Sequence, residues 1–346
     1  RLSLMRSNMP TLGPSPKKSP LPGVILVALM VGGLAGGIYW FRKRAEPPAD
    51  TAAVAQQAAP DAGPSVAQPA EQAPAQDSLL AQSGLKFASA SINGPLETAI
   101  VDQVGPAVGP ALTQVVTRAL VWWVSVPGEF LRGDRIEILF EERQNEEPLV
   151  HAVRFESNKM GRTFSAFRFQ VEGEKFARMY STDGAELESR LTPTPIDEYE
   201  QVTSLLRDGR RHKGVDFKAP VGLPVKATFD GVVTRRNWNF RGNGNCIEVA
   251  EHGGRRKALY LHLDELPSDI KVGMRVSKGQ VIAKSGNSGR SFAPHLHYQL
   301  MSASDKVLDP FDQHETWRKT LPASAKPAFD EEVRRLETLM SSKVAR

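Results

Sequence analysis

The stretch Ser285-Gly-Asn-Ser-Gly-Arg-Ser-Phe-Ala-Pro-His295-Leu-His297-Tyr298 opens on a glycine–asparagine turn and runs into alternating residues. Gly and Asn tolerate the left-handed backbone that tight turns need. The alternation predicts a strand over His295–Leu300, with His295 and His297 on one face and Leu296 turned away into the core. Along such a strand the two imidazoles are roughly 6.8 Å apart. They can converge on one site with only one of them touching a metal.

From about residue 212 the pattern is nearly all strand and turn. Strands are predicted over Val225–Ala227, Gly231–Arg235, Cys246–Ala250, Lys257–His262 and Val281–Lys284. The run Gly242-Asn243-Gly244-Asn245 reads as a hairpin turn and not as a phosphate cradle, because no helix is predicted after it. His212-Lys-Gly-Val-Asp216 places a His and an Asp four apart, on one face if the segment is a strand. His262 occupies an inward position of a third strand, in Leu259-Tyr-Leu-His-Leu263. Four of the chain's seven histidines fall in these three motifs.

A catalytic zinc takes three protein ligands and keeps one position for water. Neutral imidazole and carboxylate suit it. Two His and one Asp meet that need, and two His are left for proton transfer, since an unperturbed imidazole titrates near 6.5. The absence of HExxH rules out a helix-borne glutamate base. Either HxxxD or HxH alone is commonly structural; together with a third His in an all-β setting they point to a metal centre. The one cysteine, Cys246, excludes an intramolecular disulfide and a cysteine-rich zinc cluster. It lies between turn residues and β-branched neighbours and reads as a buried, inert thiol.

His212-Lys-Gly-Val-Asp216, Tyr260-Leu-His262-Leu and the Ser285–Tyr298 stretch closely resemble the lysostaphin/LytM-type zinc metallopeptidases of bacterial cell walls, over about residues 212–310. The resemblance implies an antiparallel β-sheet peptidase domain in which His212, Asp216 and His297 bind Zn2+. It also implies that His262 and His295 act on the water and the transition state. The substrate it implies is the peptide cross-links of peptidoglycan. All five positions are occupied, unlike in degenerate relatives that only activate other hydrolases. One departure is a shortened segment, Leu205-Leu-Arg-Asp-Gly-Arg-Arg211, where the family has a longer FGxR-containing loop that lines the groove.

Upstream, Leu96–Val124 is helical in pattern, interrupted at Pro106 and Pro110. Arg135–Glu142, Val150–Glu156, Thr163–Val171 and Phe176–Ser181 then alternate as short antiparallel strands. His151 stands apart from any catalytic cluster and reads as structural. Phe130-Leu-Arg-Gly-Asp-Arg-Ile, Gly161-Arg-Thr-Phe-Ser-Ala-Phe and Tyr180-Ser-Thr-Asp-Gly resemble, less specifically, the accessory domain of MepM-type envelope endopeptidases. That implies a Gram-negative-type periplasm and cleavage of D-Ala–diaminopimelate bonds.

Gly23–Phe41 carries no charge and ends in Tyr39, Trp40 and Phe41 before Arg42-Lys-Arg44. As a helix it is about 28 Å long, near the roughly 30 Å hydrocarbon core, and the aromatic–basic exit marks an uncleaved anchor. Ala45–Ser78 is Ala-, Pro- and Gln-rich, without aromatic, Lys or Arg residues, and cannot bury enough apolar surface to order itself. It reads as a tether of roughly 30–35 Å when coiled.

The expected fold is therefore mainly β, divided into six parts. Residues 1–22 form a cytoplasmic segment, 23–41 a transmembrane anchor and 42–78 a disordered linker. Residues 79–200 form a small α+β accessory domain, 201–314 the peptidase domain and 315–346 a helical tail. The catalytic part is expected in the periplasm, held to the inner (cytoplasmic) membrane by the single span. Over 346 residues, 44 basic against 39 acidic side chains give +5, too little to mark a nucleic-acid partner. Two other readings are a non-catalytic regulator of cell-wall amidases and a lipoyl-like periplasmic adaptor. The complete His/Asp set argues against the first. The second has no need of that set, and its long coiled-coil hairpin is missing.

Overall fold

A computed structural model describes residues 75–206, 208 and 212–341. The expected segment 1–22, the expected anchor 23–41 and the expected linker up to residue 74 lie outside these residues. Among the described residues no helix is long and apolar enough to cross a membrane.

Among the described residues the chain builds two large antiparallel sheets and two separate two-stranded ones. The first module contains α1 (Ala75–Ser83), β1 (Lys86–Ile92), α2 (Leu96–Val104), α3 (Gly109–Leu120), β2 (Asp134–Glu141), β3 (Leu149–Ser157), β4 (Arg162–Phe169) and β5 (Arg178–Tyr180). Its sheet runs in the order β1-β2-β3-β4-β5. The break between α2 and α3 follows the predicted interruption. Gly105 ends α2 at φ +83°, and Pro110 sits in the first turn of α3, where no backbone donor is lost. Strand β1, KFASASI, is weak in strand formers; it pairs with β2 along its full length, Lys86 opposite Phe140 to Ile92 opposite Asp134.

Alternation buries both faces of this sheet. Ile136, Ile138, Phe164 and Ala166 meet Ile100, Leu112, Val116 and Leu120 of α2 and α3. The opposite parity, with Leu139 and Phe167, meets α6 (Lys326–Ser341) through Phe329, Val333, Leu336 and Met340. The last segment carries this helix packed against the first sheet. Its one-sided apolar spacing covers the outer face of a sheet formed about 200 residues earlier. It also begins with a strand: β17 (Glu315–Trp317) pairs with β6 (Arg190–Thr192). Helix α1 begins at Ala75, inside the stretch assigned to the linker.

The second module contains β7 (Gln201–Ser204), β8 (Val215–Lys218), β9 (Pro224–Lys226), β10 (Gly231–Arg236), α4 (Phe240–Asn243), β11 (Asn245–Glu251), β12 (Arg256–Leu263), β13 (Arg275–Val276), β14 (Val281–Lys284), β15 (His295–Ser302), β16 (Val307–Leu308) and α5 (Pro310–Gln313). The main sheet runs β13-β10-β11-β12-β15-β8-β7, with β16 on β15, and β14 pairs with β9 separately. Val215, Phe217, Ile247, Val249, Tyr260 and Leu296 share one core. Leu191, Ile196 and Tyr199 already belong to it, so this core begins before residue 200. Trp122, just past α3, packs into the cores of both modules and lies edge-on to Phe311 at 5.3 Å.

Candidate metal centre

Strand β15 lies between β12 and β8, and the register decides what meets. His297 is directly opposite Asp216 on β8 and opposite Leu261 on β12. Directly opposed residues share a face with Cβ atoms about 4.5–5.5 Å apart. The result is His297 Nδ1 at 2.8 Å from Asp216 Oδ1. Leu296 points the other way and is fully buried, as its parity requires.

His212 does not share a strand with Asp216. It precedes β8 in irregular backbone, and Gly214 bends the chain between them. A Cβ on Gly214 would lie 2.5 Å from the Tyr298 carbonyl oxygen and 2.8 Å from His297 Nε2. Only glycine lets this segment press against β15. His212 Nε2 thereby reaches 3.2 Å from Asp216 Oδ1 and 3.0 Å from His297 Nδ1. Among the described residues, these three are the only trio of His, Cys, Asp or Glu gathered this closely.

His262 corrects a simple strand reading. Leu261 shares the face of His297, so strict alternation would send His262 into the core with Tyr260. Between β11 and β12, however, the register advances two residues on β11 and three on β12. His262 falls in this bulge at φ +59°, a left-handed backbone unusual for a non-glycine residue. Its ring is thereby placed 4.8 Å from the His295 ring and 6.0 Å from that of His297.

Two turns hold His262 there. Gly244, at φ +66°, and Gly289 meet backbone to backbone; a Cβ on Gly289 would lie 2.2 Å from Gly244 N. Ser288, between them in space, accepts from Asn245 N at 2.9 Å and donates to the Leu263 carbonyl at 2.5 Å. The glycines thus interlock two loops, in accord with the turn reading. The short helix α4 within the first of them was not expected.

Hydrogen bonds assign the tautomers. A carbonyl can only accept, so His262 donates from Nδ1 to Ser288 O at 3.0 Å, and His295 donates from Nδ1 to Ala293 O at 2.8 Å. In both, Nε2 keeps its lone pair; that of His295 lies 3.8 Å from Asp216 Oδ1. The Ser204 hydroxyl donates to Asp208 Oδ2 at 2.6 Å, so it can only accept from His212 Nδ1 at 2.8 Å. His212 Nε2 is therefore bare, facing the other two ligand atoms. Ser204, Asp208 and Ser288 were not singled out from sequence. Ser288 sits inside the quoted turn motif, but nothing in that motif tells its carbonyl apart from any other.

Burial works against ionisation of Asp216; where His212 and His297 carry protons on the nitrogens that face it, their hydrogen bonds and charge outweigh burial and hold the carboxyl well below its ordinary range, a role that passes to a bound cation when those nitrogens are bare. Burial pushes His262 down to about 4, against the Ser288 hydrogen bond, so it is neutral at pH 7. Cys246 is fully buried, hydrogen-bonded through Sγ to the Trp238 carbonyl at 3.4 Å, and its thiol is raised by burial. It belongs to no ligand cluster. His151 lies on β3, 3.6 Å from Glu141, outside the site.

Three candidate ligand atoms with edges of 2.8–3.2 Å lie close to the spacing of a cation site. The edge of a tetrahedron with zinc–ligand arms of about 2.0–2.1 Å is roughly 3.3–3.4 Å. A cluster of this kind on an antiparallel sheet, with two further imidazoles beside it, defines a metallopeptidase-type centre. Residues 210–310 match Peptidase family M23.

The relatives include the glycyl-glycine endopeptidase ALE-1 of Staphylococcus capitis, 44% identical over 97 residues, covering 28% of this chain and 26% of the relative. The peptidoglycan DD-endopeptidase ShyA of Vibrio cholerae is 34% identical over 184 residues, covering 49% of this chain and 40% of ShyA. A crystal structure of a zinc-containing peptidase from Vibrio cholerae superposes with a TM-score of 0.31 at 28% identity, covering 65% of this chain and 69% of that one. The chain thus spans less than half the length of either ALE-1 or ShyA.

Proposed function

We propose that this chain is a zinc-dependent endopeptidase that hydrolyses the peptide cross-links of peptidoglycan. The observation that carries the reading is the His212–Asp216–His297 triangle with two imidazoles beside it, each presenting a bare Nε2. The three ligands would hold Zn2+, which supplies Lewis-acid polarisation of the scissile carbonyl and a water nucleophile at neutral pH. His262 and His295 can each accept a proton at Nε2 during attack and return it to the leaving amine. Once protonated, either can hydrogen-bond the oxygen on which charge develops. His262 is kept neutral by burial, which suits it to begin as the acceptor.

The finer reading is D,D-cleavage of D-Ala–diaminopimelate bonds. The match to ShyA, a DD-endopeptidase by name, runs over 184 residues, well beyond the length of 210–310. The match to ALE-1, a glycyl-glycine endopeptidase by name, covers 97 residues. The longer match favours the D,D-type substrate. The apolar run 23–41 and the linker after it support a tethered enzyme whose catalytic part works in the periplasm.

The deciding experiment incubates the purified chain with intact sacculi and identifies released muropeptides by mass. Dimers should fall to monomers. Free stem peptides would indicate an amidase, and unchanged dimers would favour the regulator. For topology, protease added to spheroplasts should digest the catalytic part; full protection would overturn the periplasmic placement.

A further inference from the structure

A cleft of about 660 Å3 separates the two modules. One wall is the first module, with α3, the β2–β3 hairpin and β4. The other carries β8 and the start of β15, including Asp216 and His295. A substrate at the metal centre therefore lies against the first module.

The charges on the cleft are not equivalent. Arg118 forks onto Glu147 at 2.6 and 2.8 Å. Arg143 pairs with Glu141 at 3.3 Å and Glu146 at 3.4 Å, and Lys218 with Glu200 at 3.0 Å. Arg168 is the exception. It stands on β4 at the parity of Phe164 and Ala166, facing the α3 side, and is half-buried. Among the described residues it has neither a hydrogen-bond acceptor nor an ion-pair partner. Burial lowers its pKa, and Arg143 and Arg178 nearby push the same way; only Glu200, already held by Lys218, opposes them. A guanidinium keeps its charge in such a place, so the wall presents an uncompensated, partly desolvated cation to the cleft.

We propose that Arg168 is a carboxylate anchor for the substrate and sets specificity for cross-links that carry a free carboxylate beside the scissile bond. This rests on the endopeptidase reading above. The chemistry is selective. In a D-Ala–diaminopimelate cross-link the scissile amide nitrogen sits on a carbon that also bears a carboxylate. A glycyl-glycine bridge has no such group. A guanidinium fork accepts a carboxylate through two parallel hydrogen bonds, a geometry that an ammonium does not reproduce. The first module thereby supplies recognition that the five His/Asp residues lack.

The test uses the purified full chain with two dimeric muropeptides that differ at one group: the carboxylate beside the scissile bond, free or amidated. Two readouts are taken, steady-state kinetics with zinc loaded and equilibrium binding to the zinc-stripped chain, which does not turn over. Wild type should favour the free carboxylate. Arg168→Met, which keeps the aliphatic stem, should raise KM and Kd for that dimer about 10- to 100-fold, leave kcat within a few-fold, and abolish the preference. Arg168→Lys should recover part of the binding.

Unchanged KM and Kd in Arg168→Met, or a preference that survives in it, would overturn the proposal. If zinc-loaded wild type cleaves neither dimer, the endopeptidase reading fails. The binding arm still decides Arg168: an Arg168-dependent preference upholds the anchor, and its absence rejects it.

Discussion

The two modules use the same material differently. Both are antiparallel sheets of alternating residues, but the first is covered on both faces, by α2 and α3 on one side and α6 on the other. The second buries one face in its main core and uses the other for His297, Asp216 and His295. Covering both faces leaves a stiff wall with few reactive groups. Leaving one face partly open lets polar side chains from three neighbouring strands converge. The candidate site lies on the sheet face that the core spares. The doubly covered sheet contributes a charged wall.

The contrast breaks first if the chemistry is not confined to the second module. Single alanine variants of His212, Asp216 and His297 should lose zinc and all measurable activity. Those of His262 and His295 should keep zinc and slow by about 100- to 10,000-fold. Metal content by atomic absorption and rate on cross-linked muropeptides give both readouts. If His295→Ala lost zinc while His297→Ala kept it, the roles within the pair would be exchanged. Gly214→Ala belongs to the first group, since its Cβ would strike the Tyr298 carbonyl and the His297 ring.

The first module should answer in stability instead. Phe329 of α6 is fully buried against the outer face of the first sheet, lying edge-on to Phe169 and Tyr180. Phe329→Ala should cost about 3–5 kcal/mol in denaturant unfolding, while the folded fraction keeps its zinc. Loss of zinc from a folded variant would show the modules to be more tightly coupled than the core division implies.

A smaller effect sits where the modules join. Glu188 is buried, accepts from Val202 N at 3.2 Å, and is pushed by burial from 4.5 up to about 8. A carboxyl whose folded pKa is raised contributes stability that is complete below its unfolded pKa. That contribution is lost as pH climbs through the folded pKa. Wild type should therefore lose melting temperature relative to Glu188→Gln between about pH 5 and 8. A gap that does not change with pH would mean that Glu188 does not titrate there.

The smallest effect is expected at Cys246. Cys246→Ser should keep zinc and most activity, because the thiol is buried away from the ligand cluster. Zinc loss in this variant would make the thiol part of the site.

Much of this was legible in the chain because strand periodicity and turn chemistry are local. The predicted strands at 231–235, 246–250, 257–262 and 281–284 lie within one or two residues of β10, β11, β12 and β14. HxH parity put His295 and His297 on one face with Leu296 behind, and residue chemistry marked five groups suited to a metal centre. What local pattern could not reach was anything set by pairing across distance. The β12 bulge that turns His262 toward His295 exists only against β11. The Ser204–Asp208 support of His212 depends on β7 joining β8. The return of α6 to the first sheet, and the placing of Arg168 opposite Asp216 across one cleft, depend on contacts between residues far apart in the chain. Local pattern selects the elements and the residue types. Register, bulges and long-range burial, whose energies come from partners distant in sequence, decide where those side chains point.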